Sequence, residues 1–252
     1  MKAALHPRTW APFVVLLLVL ALGWHVGARQ WPYLLPPLSD VGHELRTQPG
    51  YYVSNALVTL REALLGLGIG FAVAFALAVL VSEFPLVRRA VMPVAVVLNV
   101  TPLVAIAPAL VVAFGFGPAP KLIVTALICF FPILINTAVG LRSVPADVIQ
   151  VFGTIDASRW ELLRHVRVPS ALPYVFASLQ VVFPLSVVGA VVAELSAAGS
   201  ANGLGTTIQV ASSMNHLAVV WAAIAVLALM GALLLLFVTV AQRRLLSDWR
   251  TS

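Results

Sequence analysis

Residues 122–141 read LIVTALICFFPILINTAVGL, twenty consecutive positions without Asp, Glu, Lys or Arg, bounded by Lys121 and Arg142. About 20 apolar residues let a helix cross the roughly 30 Å hydrocarbon core of a bilayer. Five more uncharged stretches flank this one, at 9–28, 63–82, 90–120, 168–193 and 195–242. The last opens with a small, polar section from Ser196 to Asn215 before a strongly apolar run from Leu217 to Val240. Stretch 90–120 holds one span, ending near Phe114 in the turn-like Gly115-Phe-Gly-Pro-Ala-Pro120. Six transmembrane helices are therefore expected, at about 10–28, 57–82, 91–113, 121–141, 171–194 and 217–241. Alternating segments of about ten residues, the mark of a membrane barrel, are absent.

Composition agrees. Of 252 residues, 61% are hydrophobic and 10% charged, with a mean hydropathy of +1.03. Soluble domains carry about 25% charged residues. That excludes a cytosolic enzyme, a disordered chain and an ordinary secreted protein. The expected fold class is an all-α membrane protein, a six-helix bundle.

Lys and Arg set the orientation. With the N-terminus inside, the cytoplasmic side holds Lys2, Arg8, Arg88, Arg89, Arg142, Arg159, Arg164, Arg167, Arg243, Arg244 and Arg250. The other side holds Arg29, Arg46, Arg61 and Lys121. Both termini are thus expected in the cytoplasm, and the net charge of +6 reads as a topology signal, with no nucleic-acid partner implied. Val26-Gly27-Ala28 loosely fits a cleavage site, but the first run is long enough to span and is expected to stay. Cys129, inside the fourth span, reads as a small apolar packing residue.

Outside the membrane, residues 29–52 form a Pro-rich external loop too short for a binding domain. The longest cytoplasmic segment is 142–170, between spans four and five. Within it Ser158 precedes Glu161 by three residues, a capping box that starts a helix. That helix carries Trp160, Leu163 and Val166 at helical spacing among Arg159, Glu161, Arg164 and Arg167, and Pro169 is expected to break it. Spacing alone fits an interfacial helix lying on headgroups and a partner-docking helix equally well.

The same loop resembles the cytoplasmic signature of binding-protein-dependent ABC importer permeases: Glu-Ala-Ala, three residues, Gly, nine residues, then Ile-x-Leu-Pro. Counted back from Pro169, Val168 and Val166 take the Leu and Ile positions, Asp156 takes the Gly, and Gln150, Val151 and Phe152 take Glu-Ala-Ala. Gly would permit positive φ there, and Asp tolerates that region better than most residues. Further blocks resemble the nitrate/sulfonate/taurine-type branch, which includes permeases for thiamine precursors and riboflavin. They are Thr101–Pro108, Phe114–Gly117, Cys129–Asn136, Ala157–Trp160, Pro169–Tyr174, Gly189–Glu194 and Gly203–Gly205, in one order across about 55–245.

The resemblance implies a type I importer-like permease of the bacterial cytoplasmic (inner) membrane, with residues 1–252 one permease domain and 142–170 its coupling loop. It implies three protein partners: an ATP-binding subunit holding ATP and Mg²⁺, a second permease copy forming a homodimer, and a solute-binding protein. Docking falls on Ala157, Ser158, Arg159, Trp160, Glu161, Leu162 and Leu163. Cargo would be a small organic nutrient, either a sulfonate-, taurine- or nitrate-like anion or a pyrimidine- or riboflavin-like heterocycle.

No cofactor or metal is expected on this chain, and it is not expected to be an enzyme. Lys121 follows Pro120 and precedes Leu122, so Gly115–Leu122 lacks the Gly-Lys-Ser/Thr of a phosphate-cradling loop. The five His residues (6, 25, 43, 165 and 216) are scattered, without ligand-spaced partners. Polar residues inside a membrane are functional candidates by default: Asn99, Thr101, Asn136, Gln180, Ser186 and Glu194, with spans three to five as the pathway. Ser186, Gly189, Ala190, Ala193 and Ala197 form a small-residue face for close helix contact. Pro102, Pro108, Pro132 and Pro184 are expected to kink spans three to five. The alternative function is an ion-coupled secondary transporter, which would usually show mid-membrane ionisable residues and inverted repeats. A membrane-embedded hydrolase ranks lower still, because Ser178 and Ser186 have no intramembrane His at their depth.

Overall fold

The computed structural model describes residues 7–196 and 202–246, apart from the side chains of 7–10 and 13. Lys2, Ala197 and Arg250 lie outside the described residues. The described chain is helical: α1 (Pro7–Gln30), α2 (Leu38–Thr47), α3 (Pro49–Glu83), α4 (Pro85–Val100), α5 (Leu103–Phe114) and α6 (Pro118–Leu141) come first. They are followed by α7 (Ala146–Thr154), α8 (Arg159–Leu162), a π-turn (Leu163–Arg167), α9 (Val168–Ser196), α10 (Leu204–Ser213) and α11 (Leu217–Leu245).

Proline explains several of these boundaries. Pro49, Pro85 and Pro118 open α3, α4 and α6, where the missing N–H is one the helix leaves unpaired anyway. A residue before proline is pushed out of the α region. Phe84 (φ −118°, ψ 107°) and Thr101 (φ −73°, ψ 128°) accordingly sit extended between helices.

The third span departs from expectation here. Pro102 was expected to kink one helix over 91–113; instead the helix ends there, and α4 and α5 stand in its place, bent by 96° at Thr101-Pro102. Pro108, Pro132 and Pro184, also expected to kink, lie inside α5, α6 and α9, which continue through them. Packing accounts for the difference. α6 buries eleven residues and α9 ten, whereas α4 buries only Ala95 and α5 only Ala107 and Val111. Neighbours on both sides keep α6 and α9 continuous through their prolines, whereas the sparsely packed α4–α5 pair breaks at Thr101-Pro102, although α5 itself continues through Pro108.

By length and composition four helices can cross a membrane, or five if the bent pair counts as one span. Six such helices were expected. α1 is 24 residues long, but its fully described part, Val14–Gln30, falls below that length.

α6 is the centre of the bundle. Val124, Thr125, Cys129, Ile133, Leu134, Thr137 and Leu141 are buried along it, between α3 and α9. Its partners fix the directions. Lys121 meets Glu62, and Thr125 and Ala126 stand against Gly66 and Gly70 in the same order, so α3 and α6 run parallel. The bent α4–α5 pair must therefore return the chain to the end where α3 began. α9 runs antiparallel to α6, with Ala171 and Tyr174 against Gly140 and Gly189 against Thr125. A Cβ on Gly70 would stand 2.7 Å from the Ala126 carbonyl oxygen, so only glycine lets these backbones approach so closely. Gly189, Ala190 and Ala193 of the expected small-residue face are buried, with Gly189 on α6.

The ends of the bundle differ in chemistry. At one, Trp24 of α1 packs edge-on against Trp221 of α11 at 4.5 Å, and Trp221 Nε1 donates to the Leu34 carbonyl at 3.2 Å. The Pro-rich loop contains α2, and the small, polar section beyond Ser196 contains α10. The other end carries Arg88, Arg89, Arg142 and the 142–170 segment.

Candidate functional site

At the arginine-rich end, Pro145 leads into α7, which buries no residue. Asp156 then turns the chain at φ +52°. The left-handed conformation a glycine would supply is therefore kept by Asp, whose short side chain tolerates it. The capping box forms as read. Ser158 Oγ accepts from the Glu161 N–H at 3.2 Å, and Glu161 Oε2 accepts from the Ser158 N–H and hydroxyl, each at 2.7 Å.

Pro169 does not break the helix. α8, the π-turn and α9 run without interruption over Arg159–Ser196. In the π-turn the Val168 N–H reaches back to the Leu163 carbonyl, one residue further than in an α-helix. The looser turn lies directly ahead of Pro169, whose ring would otherwise crowd the carbonyl four residues back.

The seven residues read as a docking segment divide by exposure. Trp160 is 66% exposed and Leu163 only 7%, with Leu163 and Val166 turned into the chain's own core. Ser158, Arg159 and Glu161 are exposed, and Ala157 and Leu162 half-buried. The segment thus leaves the Trp160 indole exposed between the charged Arg159 and Glu161, with Val151 and Ile155 exposed earlier in the loop. It is tied down by an ion pair between Arg167 and Glu83 at the last residue of α3.

The polar residues read as pathway candidates do not form one group. Asn99 is exposed. Thr101, Asn136 and Ser186 donate to carbonyls of their own helices, at Val97, Pro132 and Phe183 respectively. Gln180 bonds between helices, its Nε2 donating to Gln242 of α11. Glu194 lies at the C-terminal end of α9. It is fully buried.

Around Glu194 lies a polar cluster at the end opposite the arginines. Thr59 Oγ1 of α3 donates to Glu194 Oε1 at 2.8 Å. The free N–H groups opening α10 are capped by side chains from other helices: Gly203 N–H by Asn55 Oδ1 at 2.8 Å, Leu204 N–H by Thr59 Oγ1 at 2.9 Å, and Gly205 N–H by Glu194 Oε2. A carboxylate suits the positive end of a helix. Gly203 sits at φ +129°, and a Cβ there would stand 2.5 Å from Glu194 Cδ, so both its backbone and its neighbour demand glycine. Glu62 faces Glu194 from α3. Glu62 in turn takes the Lys121 ammonium of α6 at 2.8 Å, in a pair with side chains 12% and 5% exposed.

Asn55, Thr59 and Glu62 were not among the residues read from the sequence as pathway candidates. One signal was present. Lys121 stands alone between uncharged runs of 31 and 20 residues, and an ammonium in such surroundings needs an acid. Among the described residues, no cluster of three His, Cys, Asp or Glu groups could hold a metal.

Comparison with known proteins places this architecture. Residues 66–250 match the family described as binding-protein-dependent transport system inner membrane component. The chain is 38% identical over 165 residues to the riboflavin transport system permease protein RibX of Chloroflexus aurantiacus, covering 66% of this chain and 60% of that one. It is 34% identical over 191 residues to the formylaminopyrimidine transport permease protein ThiX of Halalkalibacterium halodurans, covering 75% and 76%. It is 30% identical over 245 residues to the taurine transport system permease protein TauC of Escherichia coli, covering 91% and 86%. A match over most of the chain, on a bundle of long apolar helices, makes it a member of the binding-protein-dependent inner-membrane transport components, the permeases of ABC importers.

Proposed function

We propose that this chain is the membrane subunit of an ATP-driven importer for a small organic nutrient, working as a pair of copies. In this reading α1, α3, the bent α4–α5 pair, α6, α9 and α11 are six spans, both termini are cytoplasmic, and residues 1–252 form one permease domain. The 142–170 segment is its coupling loop. ATP and Mg²⁺ belong to a separate ATP-binding subunit, and cargo arrives on a solute-binding protein.

The observation that carries the reading is the exposed indole of Trp160 on a capped helix continuous with α9. A large aromatic presented to solvent on a pre-formed helix suits insertion into a partner's pocket. Arg159 and Glu161 flank it as rim charges, with Ala157, Ser158 and Leu162 completing the contact. Leu163 holds the helix to the permease core. The Arg167–Glu83 pair ties the loop to α3 as well, so displacement of the loop reaches both neighbours of α6. Of the polar candidates, Asn99 and Thr101 flank the α4–α5 bend, where irregular backbone is tolerated if it lines a cavity. Asn136, Gln180, Ser186 and Glu194 complete the expected pathway, with Glu194 closing its outer end.

The cargo class follows the relatives' names, which span riboflavin, formylaminopyrimidine and taurine. Heterocycle and sulfonate both fit a pathway whose polar groups, Glu194 at its outer end apart, are neutral amides and hydroxyls. Trp160→Ala tests the reading: loss of co-purification with the ATP-binding subunit, or of substrate-stimulated ATP hydrolysis, is expected while membrane insertion persists. Unchanged association and coupling would overturn the docking assignment. Uptake by the chain alone, driven by an ion gradient, would support a secondary transporter instead.

A further inference from the structure

Arg88 and Arg142, read from sequence only as markers of orientation, line one cavity. It has a volume of about 560 Å³ and is walled by Val81, Met92, Ile135 and Tyr174 among others. Arg88 comes from the first turn of α4 and Arg142 from the C-terminal cap of α6; both are exposed, and separate elements bring the two cationic residues to the rim of one space. Neither forms an ion pair among the described residues, and the nearby acid Glu83 is committed to Arg167. A second cavity of about 480 Å³ shares Arg88 and Met92 and adds Arg89. The geometry is maintained by close packing beneath it: a Cβ on Gly140 would stand 2.8 Å from the Tyr174 Cβ, so α6 and α9 meet too tightly to close the space.

Cations repel one another, and two beside apolar walls attract an anion more strongly than they would in open water. Guanidinium groups present paired N–H donors that match the oxygens of a sulfonate, carboxylate or phosphate. Ser143 and Tyr174 also line the cavity, with the Ser143 hydroxyl donating to the Gly140 carbonyl at 2.8 Å, and no carboxylate is among the lining residues.

We propose that the cavity between Arg88 and Arg142 is an oxyanion-binding site at the arginine-rich end of the bundle. Its ligand is a monovalent oxyanion carrying an apolar body. Two sources share that chemistry: the phosphate of an anionic lipid, whose headgroup lies at this depth, and a soluble organic sulfonate. The site does not depend on docking of an ATP-binding subunit, so it can be tested on the permease chain alone.

The test uses the full chain in phosphatidylcholine nanodiscs, titrated with phosphatidylglycerol in one arm and ethanesulfonate in the other. Binding is read by native mass spectrometry and by thermal shift. The Arg88→Gln/Arg142→Gln variant is expected to weaken at least one probe about tenfold or more, while Arg243→Gln, which removes a charge elsewhere at this end, leaves binding within about twofold. Loss confined to phosphatidylglycerol assigns the lipid source, and loss confined to ethanesulfonate the soluble one. If the double variant fails to fold, Met92→Trp, which crowds the cavity with both charges in place, must also weaken binding. The proposal is overturned if neither probe binds the parent chain, if Arg243→Gln is as damaging as the pair, or if Met92→Trp binds normally.

Discussion

Lys121 shows how one side chain can be misread when its partner is distant in sequence. Counted as an external positive charge, it turns out to be 4% exposed and paired with Glu62, 59 positions earlier. A buried pair adds little over two apolar residues, but removing one member strands the other. Lys121→Met should therefore lower stability by about 3–5 kcal/mol, whereas Lys121→Met/Glu62→Met should recover most of that loss. Thermal unfolding in detergent across the four proteins of this cycle measures it, and an equal loss in the double variant would show that the pair itself stabilises. Glu194 is the matching case at the end of α9. Its rank as a polar residue near a span end was legible, but its burial depends on Thr59 and the Gly203–Gly205 turn, which no local pattern links to it.

Elements were more legible than contacts. The capping box at Ser158 and Glu161 forms as its spacing requires, because such a cap is satisfied within four residues. Pro169 misled, because a proline's effect depends on the helix before it, and the π-turn absorbs the ring. Thr101-Pro102 and Phe131-Pro132 look alike in sequence. Only the first breaks, since α6 is held on both sides and α4–α5 is not. Asp156 offers a direct check on local backbone. Asp156→Gly should be neutral or slightly stabilising at φ +52°, and Asp156→Val should cost about 1–2 kcal/mol. Amide hydrogen exchange over 157–162 would read the difference locally, and equal protection in both variants would count against a strained turn.

At the scale of the whole molecule, the all-helical membrane class was legible because uncharged runs of 20 residues or more are a solvent requirement written directly in composition. The return path was not. That α3 and α6 run parallel follows from Glu62–Lys121, Gly66–Thr125 and Gly70–Ala126, contacts set by packing. Topology in the membrane can be measured on a Cys129→Ala background, which removes the chain's one cysteine. A membrane-impermeant thiol reagent should label Ser39→Cys in intact cells and Thr154→Cys only after permeabilisation, because α2 and α7 lie at opposite ends. Labelling of Thr154→Cys from outside would reverse the proposed orientation.

The unbroken helix from Arg159 to Ser196 has a mechanical consequence. At 1.5 Å per residue, Trp160 and Glu194 stand roughly 50 Å apart along one rod. An α-helix resists compression far better than a loop does, so under the proposed docking a push on the indole is carried along α9 towards the carboxylate as axial travel. Pro173 and Pro184 each remove a hydrogen bond along the rod, and one compliant joint, the π-turn at Leu163–Arg167, lies close to Trp160. A pivot there converts tilt of the short arm into swing of the long one. The turn opening α10 is clasped at the far tip, where such a swing has its greatest amplitude.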